Sequence, residues 1–227
     1  MDPTDLTVYA SPFPKTRLGK IYDGGYVVVE IPTRYSILLA GGIYNDISFE
    51  EAVVLKYGVR CIAFDGSICA LPSKNDAIDF VKKYIGNENT DTQTDLHDLI
   101  SNHDGIFIKM DIEGGEIPWL HSLSDDQLNK FNQIVIEFHC PFTEKDDVFK
   151  KLNRNHVLVH FHGNNCCHSR TYKGVSIPNI FECTYIHKKF FTGTPPQLST
   201  DAIPSSIDMR NLLKNDEICI NHPPFVH

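Results

Sequence analysis

Short apolar runs alternate along the chain with polar segments of helical period, which predicts a largely parallel sheet covered by helices on both faces. Strands that are buried on both faces should be almost wholly apolar, and seven segments approach this condition. These segments are YSILLA (35–40), VRCIAFD (59–65), a weak third strand at 82–85, GIFIKMD (105–111), QIVIEFH (133–139), HVLVHFH (156–162) and NIFECTYIH (179–187).

Start and stop signals place helices between these strands. Ser48 with Glu51 three residues later is a capping box, and Gly58 ends the helix that this box opens. The other predicted helices are SKNDAIDFVKKY (73–84), TDLHDLIS (94–101), a helix that Ser124 and Gln127 cap and that runs through Phe131, and a helix that Thr143 and Asp146 open and that runs through Leu152.

The last two strands differ from the others in how they are joined. The segment between them, 163–179, is too short for a crossover helix, so we expect them to pair antiparallel. The predicted fold class is therefore α/β, a doubly wound, seven-stranded and mostly parallel sheet with a reversed last strand. Around this domain, 35–191, we expect a lead-in hairpin or arm at 1–34, which includes KIYDGGYVVVEI, and a Pro- and Ser-rich extension at 192–227 that packs on the domain.

Size and charge narrow the classes of function. A chain of 227 residues can close one sizeable core, and 21 basic against 29 acidic residues give a net charge of -8. This balance argues against nucleic acid or an anionic membrane as the main partner and favours a small or neutral substrate. The N-terminus lacks the pattern of a signal peptide and no run is long enough for a membrane span, so we expect a soluble, cytoplasmic protein. The oligomeric state stays open, with a homodimer among the options.

Ligands of doubly wound sheets bind at the carboxyl ends of the strands, so polar residues just past the strands are candidates for a site. Strand one ends in Gly41 and Gly42, which let a ligand approach the backbone. Asp65 follows strand two 24 residues after Gly41, a spacing at which an acidic side chain accepts hydrogen bonds from both hydroxyls of a ribose. The glycines do not begin a G-x-G-x-x-G fingerprint, so a nucleoside without a pyrophosphate fits better than NAD. The alternative is a glycine turn with a capping aspartate.

Three further strands end in carboxylates or imidazoles and should bring them to one edge of the sheet. A neutral imidazole can take a proton from a hydroxyl. Asp111, Glu137 and His139 could instead hold a divalent cation such as Mg²⁺, Mn²⁺ or Zn²⁺, and the residue types do not choose between these roles. The full set is Asp111 and Glu113 after strand four, Glu137 and His139 on strand five, and His160 and His162 on strand six, followed by Asn164 and Asn165.

The stretch IKMDIEGGE (108–116) resembles a family motif. It is similar to the strand-four motif of the FkbM-like branch of class I S-adenosylmethionine-dependent methyltransferases, a Lys-x-Asp-x-Glu-Gly sequence that leads into a helix with a further glutamate. RLGKIYDGGYVV is similar to a segment at the start of related members, and GGIYNDISFEE resembles their cofactor loop. IEFH, HFHGNN and IPNIFECTYI match the order and character of later family segments, so the resemblance covers roughly 17–187.

The resemblance implies a Rossmann-like methyltransferase sheet with the strand order 3-2-1-4-5-7-6 and S-adenosylmethionine as the cofactor. The chain departs from the family's acidic-x-Gly-x-Gly-x-Gly loop, which is reduced to two glycines after Ala40, and it has Gly66 and Ser67 where related sequences often have Pro and Thr. Carried over by position, the cofactor residues are Gly41, Gly42 and Asp46 at the methionine side, Asp65 at the ribose, and Asp111.

Methyl transfer is an in-line displacement, so such an enzyme mainly aligns the acceptor and removes its proton. We expect O-methylation of a hydroxyl on a sugar, glycan or other small metabolite, with His139 or His162 as the base. Asp111 and Glu137 would orient the acceptor or a cation, and Glu116 would complement the N-terminus of the next helix. Two alternatives remain, an inactive methyltransferase-fold binding subunit and a metal-dependent hydrolase. The candidates for acceptor binding are Tyr26, Glu113, Asn164 and Asn165.

Overall fold

A seven-stranded mixed sheet lies at the centre of the computed structural model, which describes residues 1–143, 147–193 and 195–227. The strands, in chain order, are β1 (Lys15–Gly19), β2 (Gly25–Val29), β3 (Leu38–Gly41), β4 (Cys61–Phe64), β5 (Ile78–Val81), β6 (Tyr84–Ile85), β7 (Gln93–Thr94), β8 (Ile106–Met110), β9 (Phe131–His139), β10 (His156–Gly163), β11 (Ser169–Tyr172), β12 (Val175–Pro178) and β13 (Ile180–His187). The α-helices are α1 (Ser48–Tyr57), α2 (His97–Ser101), α3 (Glu116–Ser122), α4 (Asp125–Leu128) and α5 (Val148–Asn155), and 3-10 helices cover Pro3–Leu6 and Lys188–Phe190.

The order of the central sheet is β5-β4-β3-β8-β9-β13-β10. β13 runs antiparallel to both of its neighbours, and the other pairs are parallel. Numbered along the chain, this is the order 3-2-1-4-5-7-6 that the resemblance implies, and the reversed last strand is confirmed. The connection from β10 to β13 forms the β11–β12 hairpin in place of the crossover helix that a parallel pair would need.

The segment 73–84 does not form the predicted helix. Asn75 closes a turn in which its side-chain oxygen accepts a hydrogen bond from the Ala77 N–H at 3.0 Å, and β5 follows and pairs in parallel with β4. Apolar residues on β5 flank the exposed Asp79, which is the alternation of an edge strand. The third strand therefore comes before the predicted 82–85, and β6 pairs with β7 outside the central sheet.

The first helix ends as predicted but begins differently. Gly58 follows α1 in the left-handed conformation, with φ 61°. The predicted capping box of Ser48 and Glu51 is wrong, because Ser48 is already the first helical residue. Its hydroxyl instead donates to Asp46 Oδ2 at 3.0 Å and accepts from the Lys20 N–H at 2.8 Å, so it bonds the helix to the loop that follows β3 and to the β1–β2 hairpin.

The two later helices differ from their predicted bounds. The capping box of Ser124 and Gln127 is confirmed, but α4 ends at Leu128 because Phe131 already begins β9. α5 begins at Val148, and Asp146, which was predicted to open this helix, lies outside the described residues.

Side chains alternate between two apolar cores on the two faces of the sheet. Leu38 and Phe107 pack with residues of α1 and β2 on one face, and their neighbours Leu39 and Ile108 pack with residues of α3, α4 and α5 on the other. Trp119 of α3 is fully buried in the second core. The strand ends that carry the polar residues are therefore fixed from both faces.

The β1–β2 hairpin and the C-terminal segment contact the sheet near its β10 edge. The Thr184 hydroxyl of β13 donates to the Val27 carbonyl of β2 at 2.5 Å. Phe225 packs on Phe161 of β10, with ring centroids 4.5 Å apart. Within the described ranges, no helix combines the length and the apolar character needed to cross a membrane.

Gly42 provides a test of how closely the end of β3 approaches the end of β8. Its φ is +77°, and a Cβ at this position would lie 1.5 Å from the Asp111 carbonyl oxygen. Gly58, at φ +61°, is the matched control, since a Cβ there meets no described atom within 4 Å. We expect Gly58→Ala to lower the free energy of unfolding by about 1 to 2 kcal/mol, the cost of a left-handed alanine. Gly42→Ala should lower it by clearly more, and urea unfolding that gives equal losses would contradict the close approach.

Candidate active site

A cleft of about 310 Å³ opens at the carboxyl ends of β3, β4 and β8. The turn between β1 and β2 and the loops that follow these three strands line it, which is where ligands bind in open α/β sheets. Gly41 lies just before this lining as the last residue of β3. The predicted site residues that line the cleft are Tyr26, Gly42, Asp46, Asp65, Asp111 and Glu113.

Asp65 holds the loop that follows β3. Its Oδ2 accepts hydrogen bonds from the Ile43 and Tyr44 N–H groups at 2.9 and 2.8 Å, and its Oδ1 accepts from the N–H and hydroxyl of Ser67 at 2.7 and 2.6 Å. Burial raises the pKa of this carboxyl, but the hydrogen bonds outweigh burial and hold the pKa below its ordinary value. These four bonds occupy the lone pairs of the carboxylate, so a ribose would have to take the place of Ser67.

Lys109 is a site residue that sequence reasoning missed. It is buried in β8, and its Nζ donates to the Gly41 and Gly42 carbonyls at 3.2 and 2.5 Å and lies 3.9 Å from Asp111 Oδ2. The ammonium therefore joins the end of β3 to the end of β8. A lysine two positions before Asp111 in an apolar strand was the available signal, because residues i and i+2 share one face of a sheet.

The two oxygens of Asp111 have different surroundings. The Tyr26 hydroxyl donates to Oδ2 at 2.7 Å. Burial and the charge of Asp111 raise the pKa of Tyr26 well above its ordinary value, so the hydroxyl keeps its proton. Oδ1 is shielded from solvent and accepts no hydrogen bond from the residues that the structure describes. Asp111 thus has one fixed oxygen and one oxygen without a donor.

The His139 ring lies among four carboxylates. Its Nδ1 is 3.0 Å from Glu116 Oε1. Its Nε2 is 3.3 Å from Glu137 Oε1, 3.4 Å from Glu113 Oε2 and 3.8 Å from Asp111 Oδ1. The structure therefore brings together the predicted residues of strands four and five, and we call Asp111, Glu113, Glu116, Glu137 and His139 the His139 cluster.

Burial and these contacts decide the charge state of the cluster. Burial lowers the pKa of His139, but hydrogen bonds and charges from Glu116 and Glu137 outweigh it and raise the pKa to about 11. Burial raises the pKa of Glu137, and the charges of Asp111 and Glu182 act in the same direction. At neutral pH the imidazole is thus a charged donor without the free lone pair that a base needs, which does not fit the base role predicted for His139.

Glu116 lies in the first turn of α3, at the helix N-terminus where it was predicted, and it also belongs to the His139 cluster. It is itself the first residue of α3, and its side chain is fully buried. Its Oε1 accepts hydrogen bonds from the Ile112 and Gly114 N–H groups at 3.1 and 3.2 Å, in addition to the His139 contact. The glycine turn after β8 is what places this carboxylate against the imidazole.

Asn164 and Asn165 follow β10 and lie outside the described lining of the cleft. The Asn164 side chain donates to both oxygens of Glu137 at 3.3 Å. The Asn165 side chain donates to the Leu212 and Asn215 carbonyls at 2.8 and 3.0 Å. Asn164 therefore positions Glu137, and Asn165 bonds the loop after β10 to the C-terminal segment.

His162 lies apart from the His139 cluster. It is the register partner of Glu182 on β13, which is in turn the partner of Glu137 on β9. Its Nδ1 is 3.4 Å from Glu182 Oε2 and its Nε2 is 3.4 Å from Glu217 Oε2. Burial lowers the pKa of His162, but the two carboxylates outweigh it and raise the pKa to about 10. The structure thus places this residue in a buried ion pair and away from the cleft where a base would act.

Three ligand atoms of the cluster meet the distance condition for a metal site. One atom each from Asp111, Glu137 and His139 lies within 4.8 Å of the other two. Elsewhere in the described ranges, no group of three or more His, Cys, Asp or Glu side chains meets this condition. These are the residues that the sequence analysis named for a cation.

Comparisons with known proteins give no family for the chain. No protein-family model matches it, and no curated protein matches its sequence. Among solved structures, it is similar to a mutant of the 16S rRNA (adenine(1408)-N(1))-methyltransferase from Catenulisporales acidiphilia, with 9% sequence identity, coverage of 75% of this chain and 97% of that chain, and a TM-score of 0.33. A likeness of this size carries no argument about activity.

Glu217 allows the ion pair of His162 to be tested. The pKa of His162 in the folded chain, about 10, lies above the ordinary value of 6.5, so the pair's contribution to stability is fully present below pH 6.5 and is lost as the pH rises through 10. We expect Glu217→Gln to lower the free energy of unfolding by about 1 kcal/mol at pH 6 and by progressively less toward pH 10. Urea unfolding at several pH values measures this, with the exposed Glu88→Gln as the control. A loss that does not change with pH would contradict the ion pair.

Proposed function

We propose that the chain is an S-adenosylmethionine-dependent methyltransferase of the class I fold that methylates a hydroxyl of a sugar, glycan or other small metabolite. The observation that carries the proposal is the place of the His139 cluster beside the cleft, at the carboxyl edge of a sheet with the order 3-2-1-4-5-7-6. The FkbM-like motif supports the same proposal, because its Asp111 belongs both to the cleft lining and to the cluster.

The cleft has the chemistry expected for the proposed cofactor. Its volume lies near the lower end of the range for small-molecule pockets. Asp46 and Asp111 give its lining an acidic character that favours a ligand with a sulfonium and an ammonium group. Gly42 leaves the backbone open to the methionine side, and Asp65 would bind the ribose after Ser67 moves away. The cofactor would supply the methyl group on its sulfonium.

Asp111 is the residue that we assign to the acceptor hydroxyl. It is a cluster residue that also lines the cleft, and its Oδ1 lacks a hydrogen-bond donor among the described residues. The hydroxyl can donate to this oxygen and pass its proton there as the methyl group is transferred. The charged His139 then acts as a hydrogen-bond donor that stabilises the carboxylates. This role replaces that of the base, which its residue type had suggested.

The acceptor in this proposal is a small molecule or glycan and not a nucleic acid. The net charge of -8 and the carboxylates of the His139 cluster would repel a polyanion. We propose that such an enzyme works in the cytoplasm.

Replacing Asp111 tests the assignment. We expect Asp111→Asn to lower methyl transfer from labelled S-adenosylmethionine to a panel of sugars and glycans by about 10² to 10⁴, because an amide cannot take the proton. Asp98→Asn, at an exposed position outside the cleft lining, is the matched control and should keep the parent's activity. Full activity of Asp111→Asn would exclude this role. A parent that neither transfers methyl nor binds S-adenosylhomocysteine would favour the inactive binding subunit.

The ribose assignment is tested by calorimetry with S-adenosylhomocysteine. If the ribose replaces Ser67 at Asp65 Oδ1, Asp65→Asn should weaken binding by about tenfold or more, the loss of a charged hydrogen bond. Ser67→Ala should bind at least as tightly as the parent, because the competing donor is gone. Thermal unfolding of both variants controls for folding. An Asp65→Asn variant that binds as tightly as the parent would remove Asp65 from the cofactor site.

A further inference from the structure

The His139 cluster has the geometry and charge of a metal centre. We propose that Asp111, Glu137 and His139 bind one divalent cation of the Mn²⁺ type, and that this cation receives two neighbouring oxygens of the acceptor. The first part stands on the contacts of the cluster alone. The second part rests on the proposed function.

The ligand atoms are already close to the spacing that an ion requires. Ligands at about 2.1 Å from a common ion lie about 3 Å apart when they are at right angles and about 4.2 Å apart when they are opposite. His139 Nε2 is 3.3 Å from Glu137 Oε1 and 3.8 Å from Asp111 Oδ1, and one ligand atom from each of the three residues lies within 4.8 Å of the other two. Small side-chain movements therefore bring them onto one ion.

The cluster also contains buried oxygens that lack donors. Asp111 Oδ1 and Glu116 Oε2 are shielded from solvent, and neither accepts a hydrogen bond from any described residue. Glu116 is 0% exposed and Glu137 is 5% exposed, so both carboxylates are well beyond nine-tenths buried. A buried oxygen without a partner is unfavourable. A cation in the cluster would bind Asp111 Oδ1 directly and would offset the charge of the neighbouring carboxylates.

Charge within the cluster is unbalanced. Four carboxylates surround one imidazole, and the Lys109 ammonium lies 3.9 Å from Asp111 Oδ2. Carboxylates that share a site repel one another. A divalent cation offsets this repulsion more fully than the single charge of an imidazolium.

The surroundings fix the ligands in the way that metal sites require. A metal-bound histidine usually donates its other nitrogen to a carboxylate, and Glu116 Oε1 lies 3.0 Å from His139 Nδ1. Asn164 in turn donates to both oxygens of Glu137 at 3.3 Å.

The ligand set indicates both the ion and the acceptor. Two carboxylate oxygens with one imidazole nitrogen suit Mn²⁺ better than Mg²⁺, which prefers oxygen ligands. Three protein ligands leave positions open on a six-coordinate ion, on the side where Asp111 meets the cleft. An acceptor with two adjacent oxygens, such as a vicinal diol of a sugar, would fill two of them. The ion would then lower the pKa of the bound hydroxyl, which would lose its proton to solvent, and Asp111 Oδ1 would be a ligand of the ion in place of the proton acceptor.

Titration of the full chain with Mn²⁺, followed by the loss of the free-ion electron paramagnetic resonance signal, tests the site without cofactor or acceptor. We expect one bound ion per chain, at least tenfold weaker binding in Glu137→Gln, and parent-like binding in the exposed Glu88→Gln. If Glu137→Gln does not fold, Asp111→Asn at its partly exposed position takes its place. The site is overturned if the parent leaves Mn²⁺ free, or if the ligand variant binds as tightly as Glu88→Gln.

Methyl transfer in the presence of a chelator separates this inference from the proposed function. Loss of transfer on chelation and its return with Mn²⁺ are expected. Transfer that a chelator leaves unchanged would overturn the cation's part in acceptor binding while the methyltransferase proposal stands. Mn²⁺ binding without transfer to any acceptor would leave the cation site standing, and the proposed function would fall.

Discussion

The buried ammonium of Lys109 is the contact on which the arrangement of the cleft depends. It donates to the carbonyls of Gly41 and Gly42 at the end of β3, lies 3.9 Å from Asp111 at the end of β8, and stands 5.3 Å from the ring centroid of Tyr26 on β2. A buried charge is tolerated only when it is paired and hydrogen-bonded. The pairing of this one group therefore fixes the glycine loop, the motif aspartate and the hairpin relative to one another.

The polar residues at the carboxyl edge of the sheet fall into two environments. On the side of β10 and β13, His162 and Glu182 are buried and paired by Glu217 and Asn211 from the C-terminal segment. On the side of β8 and β9, Asp111 retains an oxygen without a donor among the described residues. Buried polar groups that are hydrogen-bonded stabilise a fold, whereas an unpaired polar group next to a cleft is available to a ligand. Asn211 Oδ1 also lacks a partner among the described residues, so the candidate site is distinguished by an unpaired oxygen on a residue that lines the cleft.

The sequence predicts best where long apolar runs determine the structure. β8, β9, β10 and β13 follow from such runs, and the short connection before β13 determines its reversed direction. The edge strand β5 was missed, because the turn at Asn75 and the strand after it together resemble a helical pattern. Strand-end reasoning also brings Asp111 and His139 together, since residues at the ends of parallel strands share one edge. It could not find the partner of His162, because Glu217 lies 55 residues away in a segment with no periodic pattern.

The roles within the cluster follow from the field of its carboxylates. Histidine was assigned as a base from its ordinary pKa. Burial lowers the pKa of His139, but hydrogen bonds and charges from Glu116 and Glu137 outweigh it and keep the ring protonated at neutral pH, so it is a poor proton acceptor. The negative charge of the surrounding carboxylates also favours a divalent cation at Nε2. A proton and a cation cannot occupy that nitrogen at the same time. A proton or a metal ion on this nitrogen thus offsets the excess negative charge of the carboxylates. In either case the imidazole cannot receive the proton of an acceptor hydroxyl.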